Sequence, residues 1–343
     1  MPKELPIEYP IQRKEERLII SVLFVFLLLL TAGYFRLTPS RKSLIAKIPS
    51  TETDADFVID EVYGKTGDID ALIIGPCTAW WQIYTPFIQE KLSEKYKRKA
   101  DVITLGHNHF GSDLTYLLLK DVLKQRKVKN LILPLPKVED LYPFPHQNSV
   151  NWWIYPDDLE GVRGVSFFGY TRILGLNLFS SIYRSSLQDE TRFLSSINQE
   201  LGFNSLRDTQ RLKTSELPHL NSKDYVKVKT TEETDLNREH PLSEDWVRFY
   251  KLIFELAKTH QINLVFIDSP HATEFESDEA TIPGNFSEMT DPKIPVIATD
   301  FKKWFAVLPA HLQSQIYAGH NLTAIGSQAF TNLIKDQLVE KLK

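Results

Sequence analysis

Between Arg17 and Arg36 the chain carries eighteen residues, Leu18 to Phe35, without a single charge. No helix in water can present such a run, because no polar face survives anywhere around it. At 1.5 Å per residue the stretch reaches about 27 Å, close to the hydrocarbon thickness of a bilayer, and the flanking arginines can extend toward the headgroups. The run is therefore expected to be a single transmembrane helix over 18–35, after an N-terminal tail at 1–17. A cleaved leader is the competing reading, but leader apolar regions are ordinarily shorter, and Thr31-Ala32-Gly33 makes a weak cleavage site. Lys3, Arg13, Lys14 and Arg17 before the run are balanced by Arg36, Arg41, Lys42 and Lys47 after it, so charge does not set the orientation.

No later segment of spanning length is free of charge, which places the rest of the chain on one side of the bilayer. Charged residues make up 24% of the chain and the formal net charge is -4, the balance of an ordinary surface and not of a nucleic-acid footprint. The only cysteine, Cys77, rules out an intrachain disulfide and a multi-cysteine metal site. No Gly-rich phosphate loop is present, which argues against nucleotide chemistry, and no cofactor is expected.

Residues 36–68 are polar and interrupted by Pro39 and Pro49, and read as a stalk. From 69 to 343 short apolar runs alternate with helical periods. Asp70–Gly75, Ala100–Gly106 and Asn130–Pro136 read as strands, and Pro86–Tyr96 and Asp113–Lys124 as the intervening helices. After an insertion at about 142–240, rich in aromatic and polar residues, the pattern resumes. A helix is expected over Ser243–His260, strands over Asn263–Pro270 and Pro295–Asp300, and a closing helix over Thr323–Leu342. Uniformly apolar strands separated by helices predict an α/β fold with a doubly wound parallel sheet flanked by helices. Within the insertion, Trp152, Trp153 and Tyr155 offer a sugar-stacking surface, although sealing the insertion onto the sheet is the plainer role for such rings.

In open α/β sheets function collects beyond the carboxyl ends of the strands. Gly75-Pro76-Cys77 follows the first strand, Asn108 and Gly111 follow the second, and Gly319-His320-Asn321-Leu322 precedes the last helix. In these positions the chain resembles the SGNH, or GDSL-like, hydrolase superfamily, above all its membrane-anchored envelope acyltransferase and esterase-like branch. The resemblance implies a flavodoxin-like (SGNH-type) sheet. It implies Cys77 in place of the serine nucleophile, Gly111 and Asn108 beside the oxyanion, and His320 as base. Tyr317 falls where the family carries aspartate, and the block that supplies an oxyanion asparagine has no match, with Lys137, Asn148 and Asn151 in its neighbourhood. Asp268, after the fourth strand, is a candidate substitute to orient His320.

These substitutions are chemically coherent. A serine needs a base steadied by a carboxylate, whereas a thiol of pKa about 8.5 can pass its proton to an imidazole before attack. Pro76 works against this, because it removes one amide from the turn around an oxyanion. His107, His109 and Asp113 offer at most the start of a metal site. The expected activity is acyl transfer or ester hydrolysis on an envelope glycan or lipid-linked sugar. The alternative is a catalytically silent domain that binds envelope glycan or a partner protein. The resemblance also implies the plasma membrane, with the main domain on its extracytoplasmic face.

Overall fold

The core strands are five residues long because each is an apolar run bounded by Gly, Pro or a polar residue, and every residue of the first three is buried. The computed structural model describes residues 16–28, 42, 55–107, 112–137, 220–234, 241–270, 282, 286, 293–318 and 321–343. The chain divides into two units, Met1–Ser43 and Leu44–Lys343.

In the first unit, residues 16–28 are helical, and the apolar side chains from Leu18 to Leu28 are exposed, Leu18 by 65% and Leu28 by 53%. No helix among the described residues is long and apolar enough to cross a membrane. Residues 29–35 of the expected span lie outside the described residues.

In the second unit, part of the span expected to be a stalk is helical. Helix α1 (Ala55–Ile59) runs into a π-helical turn at Asp60–Gly64, and Phe57, Val58 and Val62 join the core. Buried Glu61 is tolerated there because Lys65 donates to its carboxylate and Arg126, itself buried, lies 3.6 Å from it while donating to the Glu61 carbonyl (3.1 Å) and the Gly67 carbonyl (3.0 Å).

Strands β1 (Ala71–Gly75), β2 (Val102–Gly106) and β3 (Asn130–Pro134) follow, then β4 (Val226–Thr230), β5 (Asn263–Ile267) and β6 (Pro295–Thr299). They form one sheet in the order β2-β1-β3-β5-β6-β4, parallel except for β4, which closes the far edge antiparallel to β6. β4 was not anticipated and lies inside the span read as an insertion. It alternates as Val-Lys-Val-Lys-Thr with Lys227 exposed, a pattern that protects an edge from further pairing.

Alternation of side chains splits the core into two layers. Leu72, Ile74, Ile103, Leu105, Leu131, Leu133 and Phe266 pack with α4 (Ser112–Gln125) and α5 (Glu244–Thr259) on one face. Ala71, Ile73, Val102, Ile132, Val265, Ile267 and Ile297 pack on the other with α2 (Cys77–Gln82), α3 (Thr85–Tyr96) and α8 (Ala324–Lys341). Two short helices, α6 (Phe301–Ala306) and α7 (Ala310–Gln313), were not foreseen and join β6 to a hairpin of β7 (Tyr317–Ala318) and β8 (Asn321–Leu322).

The amino-terminal end of the sheet is fastened by polar groups. Asp70 accepts from both terminal nitrogens of Arg98 (2.7 and 2.6 Å), from Lys129 (2.9 Å) and from the Asp101 amide (2.9 Å). Burial alone would raise its pKa, but these donors together hold the carboxyl far below the usual range, and the same contact raises Arg98. Alongside, fully buried Asn130 donates to the Asp70 carbonyl (2.7 Å) and accepts from the Lys343 amide (2.8 Å) and from Asn263 (2.9 Å).

Candidate functional site

The strand order reverses between β1 and β3, and in open α/β sheets ligands bind beyond the carboxyl ends of the strands at such a point. β1 leads through Pro76 directly into α2, whose first residue is Cys77. Six residues make too short a helix to persist alone, and no side chain caps its start, so its position is set by its surroundings.

Three contacts do this. Trp80 lies over Gly106 at the end of β2, so tightly that a Cβ on Gly106 would sit 2.2 Å from the Trp80 Cβ. Ala79 faces Gly75 and the ring of Pro134, at 3.4 and 3.0 Å from where a Gly75 Cβ would be. The wholly buried Gln82 donates from Nε2 to the Pro270 carbonyl at 2.6 Å, tying α2 to the segment after β5. Thr78 Oγ1 and Gln82 Oε1, one turn apart and both buried, have no hydrogen-bond partner among the described residues.

Helix α2 also packs against β8 and α8. Tyr317 pairs with Leu322 and Ala318 with Asn321; Gly319 and His320, which come between these strands in sequence, lie outside the described residues. The base of the hairpin is clamped: the Thr323 amide donates to the Ile316 carbonyl (2.8 Å), and the Thr323 hydroxyl donates to the Gln315 carbonyl (2.5 Å) while capping Gly326 (3.0 Å). Gly326 is required there, because a Cβ would fall 2.3 Å from the Ile316 oxygen. The half-buried Tyr317 ring rests against Phe305, with centroids 6.3 Å apart.

Other expected residues separate from this group. Gly106 faces Trp80, so the next side chain, His107, points through the opposite face and meets Thr115 of α4 (Nε2 to Oγ1, 3.0 Å). His107 is fully buried there, and among the described residues no group of three or more metal-ligating side chains forms. Asp268 pairs with buried Lys137 at 2.5 Å, bridging the ends of β5 and β3, so this carboxylate is engaged by a lysine. Asn108, His109, Gly111, Asn148, Asn151, Trp152 and Trp153 lie outside the described residues.

Gln82 and the Lys137–Asp268 pair were not read as parts of one rim, and only the fold could show it: their partners are 188 and 131 residues away in the chain. Set against known proteins, the chain matches no protein-family model and no curated sequence.

Proposed function

We propose that this chain is a membrane-tethered SGNH-like protein. It performs acyl transfer or ester hydrolysis on a cell-envelope glycan or lipid-linked sugar, with Cys77 as nucleophile and His320 as base. The observation that carries the reading is the packing of the Cys77 helix, at the sheet's reversal point, against β8, the strand that begins immediately after His320. The five parallel strands run β2-β1-β3-β5-β6, the order of flavodoxin-like sheets, whose ligands bind at this reversal point.

The chemistry closes without a carboxylate. Cys77 gives its proton to His320 and the thiolate attacks the acyl carbonyl; the tetrahedral oxyanion collapses, breaking the ester bond, and the departing alkoxide takes the proton from the imidazolium. The thioester is then attacked by a glycan hydroxyl or water, whose proton passes to His320 and on to the departing thiolate. The amides of Cys77 and Gly111 donate to the oxyanion, with Asn108 beside them. Tyr317, at the base of the hairpin, steadies the imidazole. The exposed apolar helix at 16–28 supports a bilayer anchor over 18–35, since so much apolar surface is stabilised only by leaving water. The domain works on the extracytoplasmic face of the plasma membrane.

The engagement of Asp268 by Lys137 favours the second reading, a silent SGNH-like domain that binds envelope glycan or a partner protein. Alkylation of Cys77 by iodoacetamide as a function of pH, on the full chain in detergent, separates the two. The catalytic reading expects an apparent pKa well below the free-thiol value of about 8.5, moving up in His320→Ala. A thiol that is inert, or indifferent to His320, rejects the enzyme and leaves the binder.

A further inference from the structure

We propose that Gln82 is a positioning residue for Cys77, fixing the nucleophile's helix to the anchored segment that follows β5; this rests on the reading of Cys77 as nucleophile. A helix of six residues with no side-chain cap carries little order of its own, and apolar contacts alone permit it to rotate or slide. Trp80 holds one side of α2 to β2 through the close approach at Gly106. On the other side the directional contact is Gln82 Nε2 to the Pro270 oxygen, at 2.6 Å and wholly buried. A carbonyl only accepts, so the amide nitrogen must be the end that faces Pro270.

What Gln82 grips is itself held. Pro270 lies two residues beyond Asp268, whose carboxylate is paired with Lys137 at the end of β3, and the Asp268 amide donates to the Ile297 carbonyl at 2.9 Å. Chain segments from β1, β3, β5 and β6 are thereby linked to one short helix. An apolar side chain of the same length would fill the position without burying an amide, so the polar choice calls for a directional role.

Because Cys77 is the only cysteine, full-length protein in detergent micelles labelled with 13Cβ-cysteine gives one resonance, which reports both thiol ionisation and helix placement. Gln82→Met is expected to move that resonance and to raise the titration midpoint by about one pH unit toward the free-thiol value, roughly tenfold less thiolate at neutral pH. Gln82→Glu keeps the shape and is expected to hold the wild-type resonance position while the carboxyl is protonated and can donate to Pro270, and to lose it on ionisation. Arg98→Met, at the opposite end of the sheet, should lower the melting temperature and leave the resonance and its titration unmoved.

A Gln82→Met spectrum and titration superimposable on wild type would overturn the positioning role. So would an Arg98→Met change of the same size, which would make the effect one of general stability. If the wild-type thiol titrates as a free thiol and ignores His320→Ala, the dyad fails by itself. The resonance position in Gln82→Met then decides the inference about the helix: displaced, it stands; unmoved, it falls.

Discussion

Replacing Gly106 with alanine should displace the Cys77 helix from the sheet. The backbone at Gly106 is that of an ordinary strand, paired with Gly75, so the requirement for glycine is one of space. The added Cβ would stand 2.2 Å from the Trp80 Cβ, 2.7 Å from its Cγ and 2.8 Å from its Cα. Ordinary carbon contacts lie near 3.5 Å, so Trp80 must retreat by about 1.3 Å. A change of rotamer cannot provide this, because Cα and Cβ are among the obstructing atoms; the backbone of α2 has to move. Overpacking of this kind costs about 1–3 kcal/mol, and misplacing a reacting group by about 1 Å costs roughly a hundredfold in rate. Urea unfolding followed by tryptophan fluorescence should therefore show a modest loss of stability, and iodoacetamide alkylation of Cys77 a changed rate and pH profile. Gly67→Ala is the contrast: φ is +104° and no atom lies within 4 Å of the new Cβ, so about 1–2 kcal/mol is lost to backbone conformation with no effect on the thiol. A Gly106→Ala protein with wild-type stability and unaltered thiol chemistry would refute the claim that this contact sets the helix.

Two further predictions concern the fastened end of the sheet. Asp70 is held ionised far below its usual range, so its contribution to stability is fully present above the unfolded-state pKa near about 3.9 and is lost progressively below it, as pH falls toward the much lower folded-state value. Asp70→Asn should therefore melt below wild type at neutral pH, with the gap closing as the buffer is taken toward pH ~3; a gap that stays constant would show that the charge is not what matters. Asn130→Ala removes the side chain that serves the Asp70 carbonyl and the Lys343 amide, and should lower unfolding free energy by about 2 kcal/mol in urea titrations; a loss below about 0.5 kcal/mol would mean that water replaces it.

Five of the six strands could be read from sequence because each buries both faces, which turns it into a short apolar run that no helix period explains. β4 could not. As an edge strand it alternates valine with lysine, and in a polar neighbourhood that pattern looks like loop. Helix α1 was hidden for a related reason: Asp60, Glu61 and Lys65 make the segment look solvated, although Glu61 is buried beside Arg126, 65 positions on. Helix α2 has no periodicity to detect in Cys-Thr-Ala-Trp-Trp-Gln, since its existence depends on Gly106, Pro270 and Leu322, which come together only in the fold. At the candidate site, motif order put Cys77 and His320 at the same end of the sheet, and in the fold the Cys77 helix packs against β8, which follows His320 in the chain. Motif order did not separate His107 from them, because which face of the sheet a residue takes after the strand ends depends on a one-residue step.

The polar fastening at the amino-terminal end also bears on how this domain can change. Asp70, Arg98, Asn130 and Asn263 all lie at the end of the sheet opposite to Cys77, so much of what keeps the sheet assembled owes nothing to the residues that would meet a substrate. Stability and specificity can then be altered nearly independently. Libraries randomised at Cys77 and His320 should therefore retain a high proportion of folded members.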